Sequence, residues 1–207
     1  MIASILATTA RIVAGSTVRW AGCAPTEEQR IYIANHSSHL DFIVLWSHLP
    51  PWLRRRTRPV AARDYWERDR LRRYLAAHVF NALLIDRTAA PGTPPGQLGR
   101  QAVDQMVEAL SAQQSLILFP EGTRGAGEDL ASFRSGLFHV CRAKPDVEVV
   151  PVYLENLNRI LPKGHLLPVP MLSRITFGTP LRLQPDETKD AFLERARQSV
   201  RTLREAA

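Results

Sequence analysis

A histidine and a carboxylate stand five residues apart in Asn35-His36-Ser37-Ser38-His39-Leu40-Asp41, directly after the short apolar run Ile31-Tyr32-Ile33-Ala34. On a continuous strand, side chains five apart point to opposite faces, and on a helix five steps of about 100° leave them roughly 140° apart. The pair can meet only where one element ends and another begins. The apolar run predicts a buried strand that stops at Asn35. Ser38 is a good helix N-cap, and Asp41 three residues on occupies the position of a capping-box acid. With His36 in the connecting loop, Asp41 accepts the Nδ1 proton and leaves Nε2 free as a base. Such a pair needs no serine or cysteine nucleophile, because a substrate hydroxyl attacks once its proton is taken. Two other readings fit the same spacing. Asp41 can be only a cap, with His36 and His39 as ordinary polar residues at a strand end. Alternatively His36, His39 and Asp41 can ligate a metal, although no further His or Cys cluster completes a site.

The elements that would position this pair follow in order. Phe42 to Leu49 reads as an apolar helix closed by Pro50-Pro51, and Val79 to Ile85 as a strand ending in Asp86-Arg87. After a Pro/Gly-rich loop from Pro91 to Gly96, Leu98, Val103, Met106, Val107 and Leu110 have helical spacing, and Ser115 to Phe119 is a compact buried strand. Strand, crossover helix, strand is the mark of a parallel sheet covered by helices. Glu148 to Leu154 and Arg174 to Phe177 read as further strands, with Pro151 placing the first near an edge or bulge. Asp186 to Glu205 is an amphipathic helix with Phe192, Leu193, Ala196, Val200 and Leu203 inward. The predicted fold is therefore α/β, a single domain with a mixed, largely parallel sheet flanked by helices. Ligands of such sheets collect at the carboxyl ends of the strands, which gathers Asn35 to Asp41, Asp86-Arg87 and Pro120-Glu121-Gly122-Thr123-Arg124 on one rim.

At 207 residues and 45% hydrophobic content the chain supports one full core rather than two. A net charge of +7 favours a polyanionic partner, an anionic membrane or nucleic acid. Arginine supplies most of it: only Lys144, Lys163 and Lys189 are lysines among 27 basic residues. Residues 52 to 73 interleave arginines with Trp52, Tyr65 and Trp66, a mixture that suits lipid headgroups or single-stranded nucleic acid, or forms a solvated charged helix. Cys23 and Cys141 are isolated and read as reduced thiols of a cytosolic protein. In residues 1 to 18, Ile2, Ile5, Leu6, Ile12 and Val13 share one helical face, but Arg11 interrupts the segment and no basic residue precedes it. Residues 1–29 are thus expected to form an interfacial amphipathic helix, or one packed on the domain of residues 30–207, rather than a membrane span or signal peptide.

Four blocks in this order resemble the glycerolipid acyltransferase family, typified by 1-acylglycerol-3-phosphate O-acyltransferase. His36 to Asp41 is similar to the family's His, any four, Asp block, and Phe119-Pro120-Glu121-Gly122-Thr123-Arg124 matches its Phe-Pro-Glu-Gly-Thr-Arg block residue for residue. Leu84-Ile85-Asp86-Arg87 looks like the end of the second block and Val150-Pro151-Val152 like the fourth; Phe133-Arg134-Ser135-Gly136 resembles a Phe-Lys-any-Gly segment after the third. The resemblance implies transfer of an acyl group from acyl-CoA or acyl-carrier protein to a lysophospholipid hydroxyl, most simply 1-acylglycerol-3-phosphate. It implies no cofactor, metal or nucleic acid, and peripheral attachment to the cytoplasmic face of an anionic membrane. His36 is then general base and Asp41 its orienter, while Arg87, Glu121, Gly122, Thr123 and Arg124 bind the acceptor. Two departures, Asn81-Ala82-Leu83 where the family has glycine followed by a bulky apolar residue and Arg134 in place of lysine, keep other acceptors open, among them a lyso-aminolipid. The competing class is a non-enzymatic basic module that docks on membranes.

Overall fold

Ile31, Tyr32, Ile33 and Ala34 are apolar on both faces of their strand, so they need cover on both sides. Strand β2 (Arg30–Ala34) is accordingly buried along its whole length. The structure, a computed structural model, describes residues 2–89, 91–125, 129–160, 169 and 171–205; Met1 of the predicted N-terminal segment and residues 206–207 of the predicted domain lie outside these. Along the chain run α1 (Ile2–Val13), β1 (Ser16–Trp20), β2, α2 (Asp41–His48), α3 (Pro51–Arg56), β3 (Thr57–Ala62), α4 (Arg63–Trp66), α5 (Arg70–Tyr74), a π-helical turn (Leu75–Val79) and β4 (Leu83–Ile85). Then follow α6 (Gln97–Ser111), β5 (Ser115–Leu118), α7 (Gly136–Ala143), β6 (Glu148–Glu155), α8 (Leu157–Ile160), β7 (Ser173–Phe177) and α9 (Lys189–Glu205).

The strands form one sheet in the order β1-β7-β6-β2-β5-β3-β4, with β2 in the middle. Every neighbouring pair is parallel except β6 with β7, so the expected mixed, largely parallel sheet is what forms. Strand alternation splits the core. Tyr32, Ala34, Val150 and Val152 face one layer with Trp46 and Phe80, while Ile31, Ile33, Leu116 and Val149 face the other with Leu110, Val140 and Phe192. A slip of one residue in β2 would exchange these faces, which fixes the register.

Several expectations change. β1 lies inside the segment read as an N-terminal helix, yet it pairs with β7 from Ser16↔Ser173 to Trp20↔Phe177, so residues 16–20 belong to the sheet. β3 lies inside the arginine-rich stretch, where Arg58 and Pro59 hide a strand that joins β5 to β4. Arg54 in the same stretch is buried, its guanidinium 4.7 Å above the Trp46 ring. The strand expected over Val79 to Ile85 shrinks to Leu83–Ile85, because Asn81 has φ 48° and breaks the extended run. That left-handed backbone is natural for glycine and next best for asparagine. Pro151 is in an interior strand, not an edge. Its carbonyl accepts from Gly178 N–H at 2.8 Å, just beyond the end of β7, where the ladder between the two strands stops.

Helix α1 packs through small residues: Ala7 and Ala14 are buried, whereas Ile5 and Ile12 are 60% and 74% exposed. The predicted apolar stripe therefore faces outward, apart from the half-buried Leu6, and a small-residue face of the helix packs on the domain. Among the described residues no helix is long and apolar enough to cross a membrane. Cys23 and Cys141 are free thiols, and burial pushes the Cys141 pKa up to about 12.

Candidate active site

The strand end at Asn35 is pinned first. Its side chain donates to Leu154 O at 3.0 Å and accepts from Leu154 N–H at 2.8 Å, so the chain leaves β2 at a fixed point beside β6. The next residue turns His36 toward Asp41, the first residue of α2, and His36 Nδ1 lies 2.8 Å from Asp41 Oδ2. The same oxygen accepts the backbone N–H groups of Ser37 at 2.6 Å and Ser38 at 2.8 Å. Three donors converge on one buried carboxylate oxygen, which puts the proton on Nδ1 and leaves Nε2 with an open lone pair. Ser38 is not the N-cap that was expected. Leu40 occupies that position without a side-chain bond, Ser38 Oγ accepts instead from Leu40 N–H at 3.3 Å, and Asp41 supplies the reach-back half of a capping box.

His36 is clamped from three further sides. Its ring stacks on Phe119 with centroids 4.4 Å apart. Its N–H donates to Glu121 Oε1 at 2.7 Å, and its carbonyl accepts from Gly125 N–H at 2.8 Å. Glu121 Oε2 accepts from Ala131 N–H at 3.0 Å. Glu121 is buried, and its carboxylate ties its own loop to the backbone of His36 and Ala131.

A cleft of about 210 Å³ opens at the rim where β2, β3, β4 and β5 end. Its polar wall holds His36, His39, Arg87, Gly122 and Arg124, and its apolar wall includes Phe42, Val60, Trp66, Ile85 and Leu118. Of the residues expected to bind the acceptor, Arg87, Gly122 and Arg124 line this cleft, whereas Glu121 and Thr123 do not. Gly122 has φ +73°, and a side chain there would also run into Arg134, whose Nε donates to Glu121 O at 3.3 Å. Arg134 thus props the turn that presents Arg124.

The sequence reading missed two partners. His39 Nε2 accepts from Arg124 Nη1, and the His39 ring stacks on Tyr65 at 5.6 Å. Burial, then the nearby Arg124 charge, lowers the His39 pKa, so it is a neutral acceptor that orients Arg124. Asp64 takes Arg87 bidentately, at 3.1 and 2.7 Å. No pattern in the chain signals either contact, since both join residues brought together only by the parallel sheet. The metal reading of His36, His39 and Asp41 fails on these bonds: the first and third bind each other, while His39 gives its lone pair to Arg124. Among the described residues no other group of His, Cys, Asp and Glu is placed to hold an ion.

The arrangement offers a base, an oriented proton acceptor pair and two cations beside an apolar wall. Comparison with known proteins bears on the family and the fold. The Acyltransferase family model matches residues 17–155. A 1-acyl-sn-glycerol-3-phosphate acyltransferase of Chlamydomonas reinhardtii is 28% identical over 181 residues, covering 85% of this chain and 48% of the relative. One from Limnanthes douglasii is 30% identical over 162 residues, covering 76% and 52%. The chain therefore spans about half the length of the curated relatives it matches. The crystal structure of the 1-acyl-sn-glycerophosphate (LPA) acyltransferase PlsC from Thermotoga maritima superposes with TM-score 0.76 at 17% identity, over 99% of this chain and 78% of that one, and so shares the fold. With a family match across more than half its residues, this chain belongs to the acyltransferase family.

Proposed function

We propose that the chain is an O-acyltransferase that moves a fatty acyl group from acyl-CoA or acyl-carrier protein to the free hydroxyl of a lysophospholipid, with 1-acylglycerol-3-phosphate as the acceptor and phosphatidic acid as the product. The observation that carries the reading is the 2.8 Å contact between His36 Nδ1 and buried Asp41, on the wall of a cleft that two arginines share. His36 Nε2 takes the proton of the acceptor hydroxyl as its oxygen attacks the thioester carbonyl. When the tetrahedral intermediate collapses, the C–S bond breaks and the same nitrogen returns the proton to the thiolate. One ester and one free thiol result. Arg87 and Arg124 suit the acceptor's phosphate, because charge-assisted arginine bonds to phosphate are strong and oriented. The wall of Phe42, Val60, Trp66 and Ile85 suits an acyl chain.

The decisive experiment sets a panel of lysophospholipids against both donor types and measures product mass together with free thiol. One thiol per phosphatidic acid is the expected result. If no acceptor consumes either thioester, the chain is instead a basic docking module.

Peripheral attachment to the cytoplasmic face of an anionic membrane belongs to the same proposal. The register places Ser16 and Ser173 at the sheet edge that carries His36, so Ile12 and the 77% exposed Leu172 lie along the edge that holds the cleft. Binding to phosphatidylglycerol vesicles should weaken as salt rises. Replacing Ile5 and Ile12 together by Asp should lower vesicle affinity at least about tenfold, since each buried isoleucine contributes roughly 1.5 kcal/mol or more. Sedimentation with vesicles reads this directly, and unchanged binding would remove α1 from the contact.

A further inference from the structure

The strand ends that deliver Arg87 to the cleft carry a charge pattern that acyl transfer does not use. β3 and β4 run parallel with Ala62 opposite Ile85, so Arg63 and Asp64 come level with Asp86 and Arg87. The two dipeptides have opposite polarity and pair in register. Arg63 Nε donates to Asp86 Oδ1 at 3.0 Å, while Arg87 donates from Nε to Asp64 Oδ1 at 3.1 Å and from Nη2 to Oδ2 at 2.7 Å.

The two pairs do different work. Arg63 also donates to Glu67 Oε1 at 2.9 Å and to Leu84 O at 3.0 Å, so it ties β3, α4 and β4 together without help. The Asp64 to Arg87 pair adds little to that closure. Its side chains are 59% and 50% exposed, and an exposed ion pair of this kind is a weak one. What it does is occupy the flat Nε–Nη2 edge, the edge by which a guanidinium grips two oxygens of one anion. Arg124 differs. Its partner is the neutral His39, and among the described residues no carboxylate is paired with it.

Resting on the reading of Arg87 as a ligand of the acceptor's phosphate, we propose that Asp64 is a built-in competitor for that guanidinium. It holds the fork that a phosphate needs, and yields it only to an anion that binds more strongly than an exposed carboxylate. Arg124 makes the first contact, and Arg87 exchanges Asp64 for phosphate. A headgroup without phosphate cannot drive the exchange and leaves the pair closed.

Asp64→Asn keeps the size of the side chain and removes its charge. The KM for 1-acylglycerol-3-phosphate should then fall about two- to fivefold, the factor that matches the strength of an exposed ion pair, with the effect carried by KM rather than kcat. The Ki of a monoacylglycerol of the same chain length, competing at the same cleft, should not move. Arg87→Gln should raise the KM for the phosphate-bearing acceptor roughly tenfold or more, and the gain from Asp64→Asn should vanish in the double variant. A KM that stays the same or rises in Asp64→Asn, while Arg87→Gln still raises it, overturns the competitor and leaves the phosphate reading intact. If Arg87→Gln leaves KM unchanged, the phosphate reading falls and the competitor with it. Melting temperatures of the variants confirm that each is folded.

Discussion

His36→Ala is expected to lower kcat by about 10²- to 10⁴-fold, the usual contribution of a positioned general base. The other imidazole of the cleft cannot take over, because His39 gives its Nε2 lone pair to Arg124 and its pKa is lowered by burial. The fold should survive: Asp41 keeps the N–H groups of Ser37 and Ser38, and the cost of losing one hydrogen bond and the stacking on Phe119 is about 1–3 kcal/mol. Thiol release under saturating acceptor, together with a thermal melt, tests both halves. Turnover within a few-fold of wild type in a folded His36→Ala protein would be incompatible with the mechanism.

Asp41→Asn should be nearly as damaging to kcat, and more so to stability. An amide at this position offers one neutral oxygen to three converging donors, and its NH₂ group cannot replace the second oxygen without presenting hydrogens to its surroundings. Two consequences follow. The imidazole loses the charge that fixes its tautomer, a change that costs about 10⁴-fold in an unrelated histidine–aspartate pair. The loop from His36 to Ser38 loses charge-assisted bonds, which amounts to roughly 2–4 kcal/mol. Denaturant unfolding should show that loss, whereas the KM for the acceptor should change little because Asp41 has no surface in the cleft. A variant that is destabilised but retains its kcat would make Asp41 a cap and nothing more.

The contact between His36 and Asp41 was legible because the constraint is local. A strand and a helix must be broken between residues 36 and 41 for the two side chains to meet, and the sequence carries an apolar run before the break and an acid after it. The common rim of His36, Arg87 and Arg124 was legible from the parallel order alone, since parallel strands end at one edge. What stayed hidden depends on contacts far apart in the chain. β3 is disguised by Pro59, a poor strand former, and by the charge of Arg58, whose guanidinium bonds Asn81 O and Gln114 Oε1. Glu121 reads as a ligand in a polar block, and only the packed loops show it gripping the backbone of His36 and Ala131. The pairing of Asp64 with Arg87 exists because Ala62 stands opposite Ile85, and no one-dimensional pattern encodes that register.

The pairing of β1 with β7 bears on how the protein can be shortened. Trp20 lies flat against Phe177, ring centre to ring centre 3.9 Å, and the strand that carries it closes that side of the sheet. Trimming the chain back to the histidine block, a natural step for anyone wishing to shed the sticky leading helix, would uncover a row of unsatisfied amides and a bare aromatic ring on β7. Such a surface invites a second molecule to fill the gap. The leading helix cannot simply be cut away either, because Ala7 and Ala14 are buried in the core and the Ala14 carbonyl accepts from Ser173 Oγ at 2.8 Å.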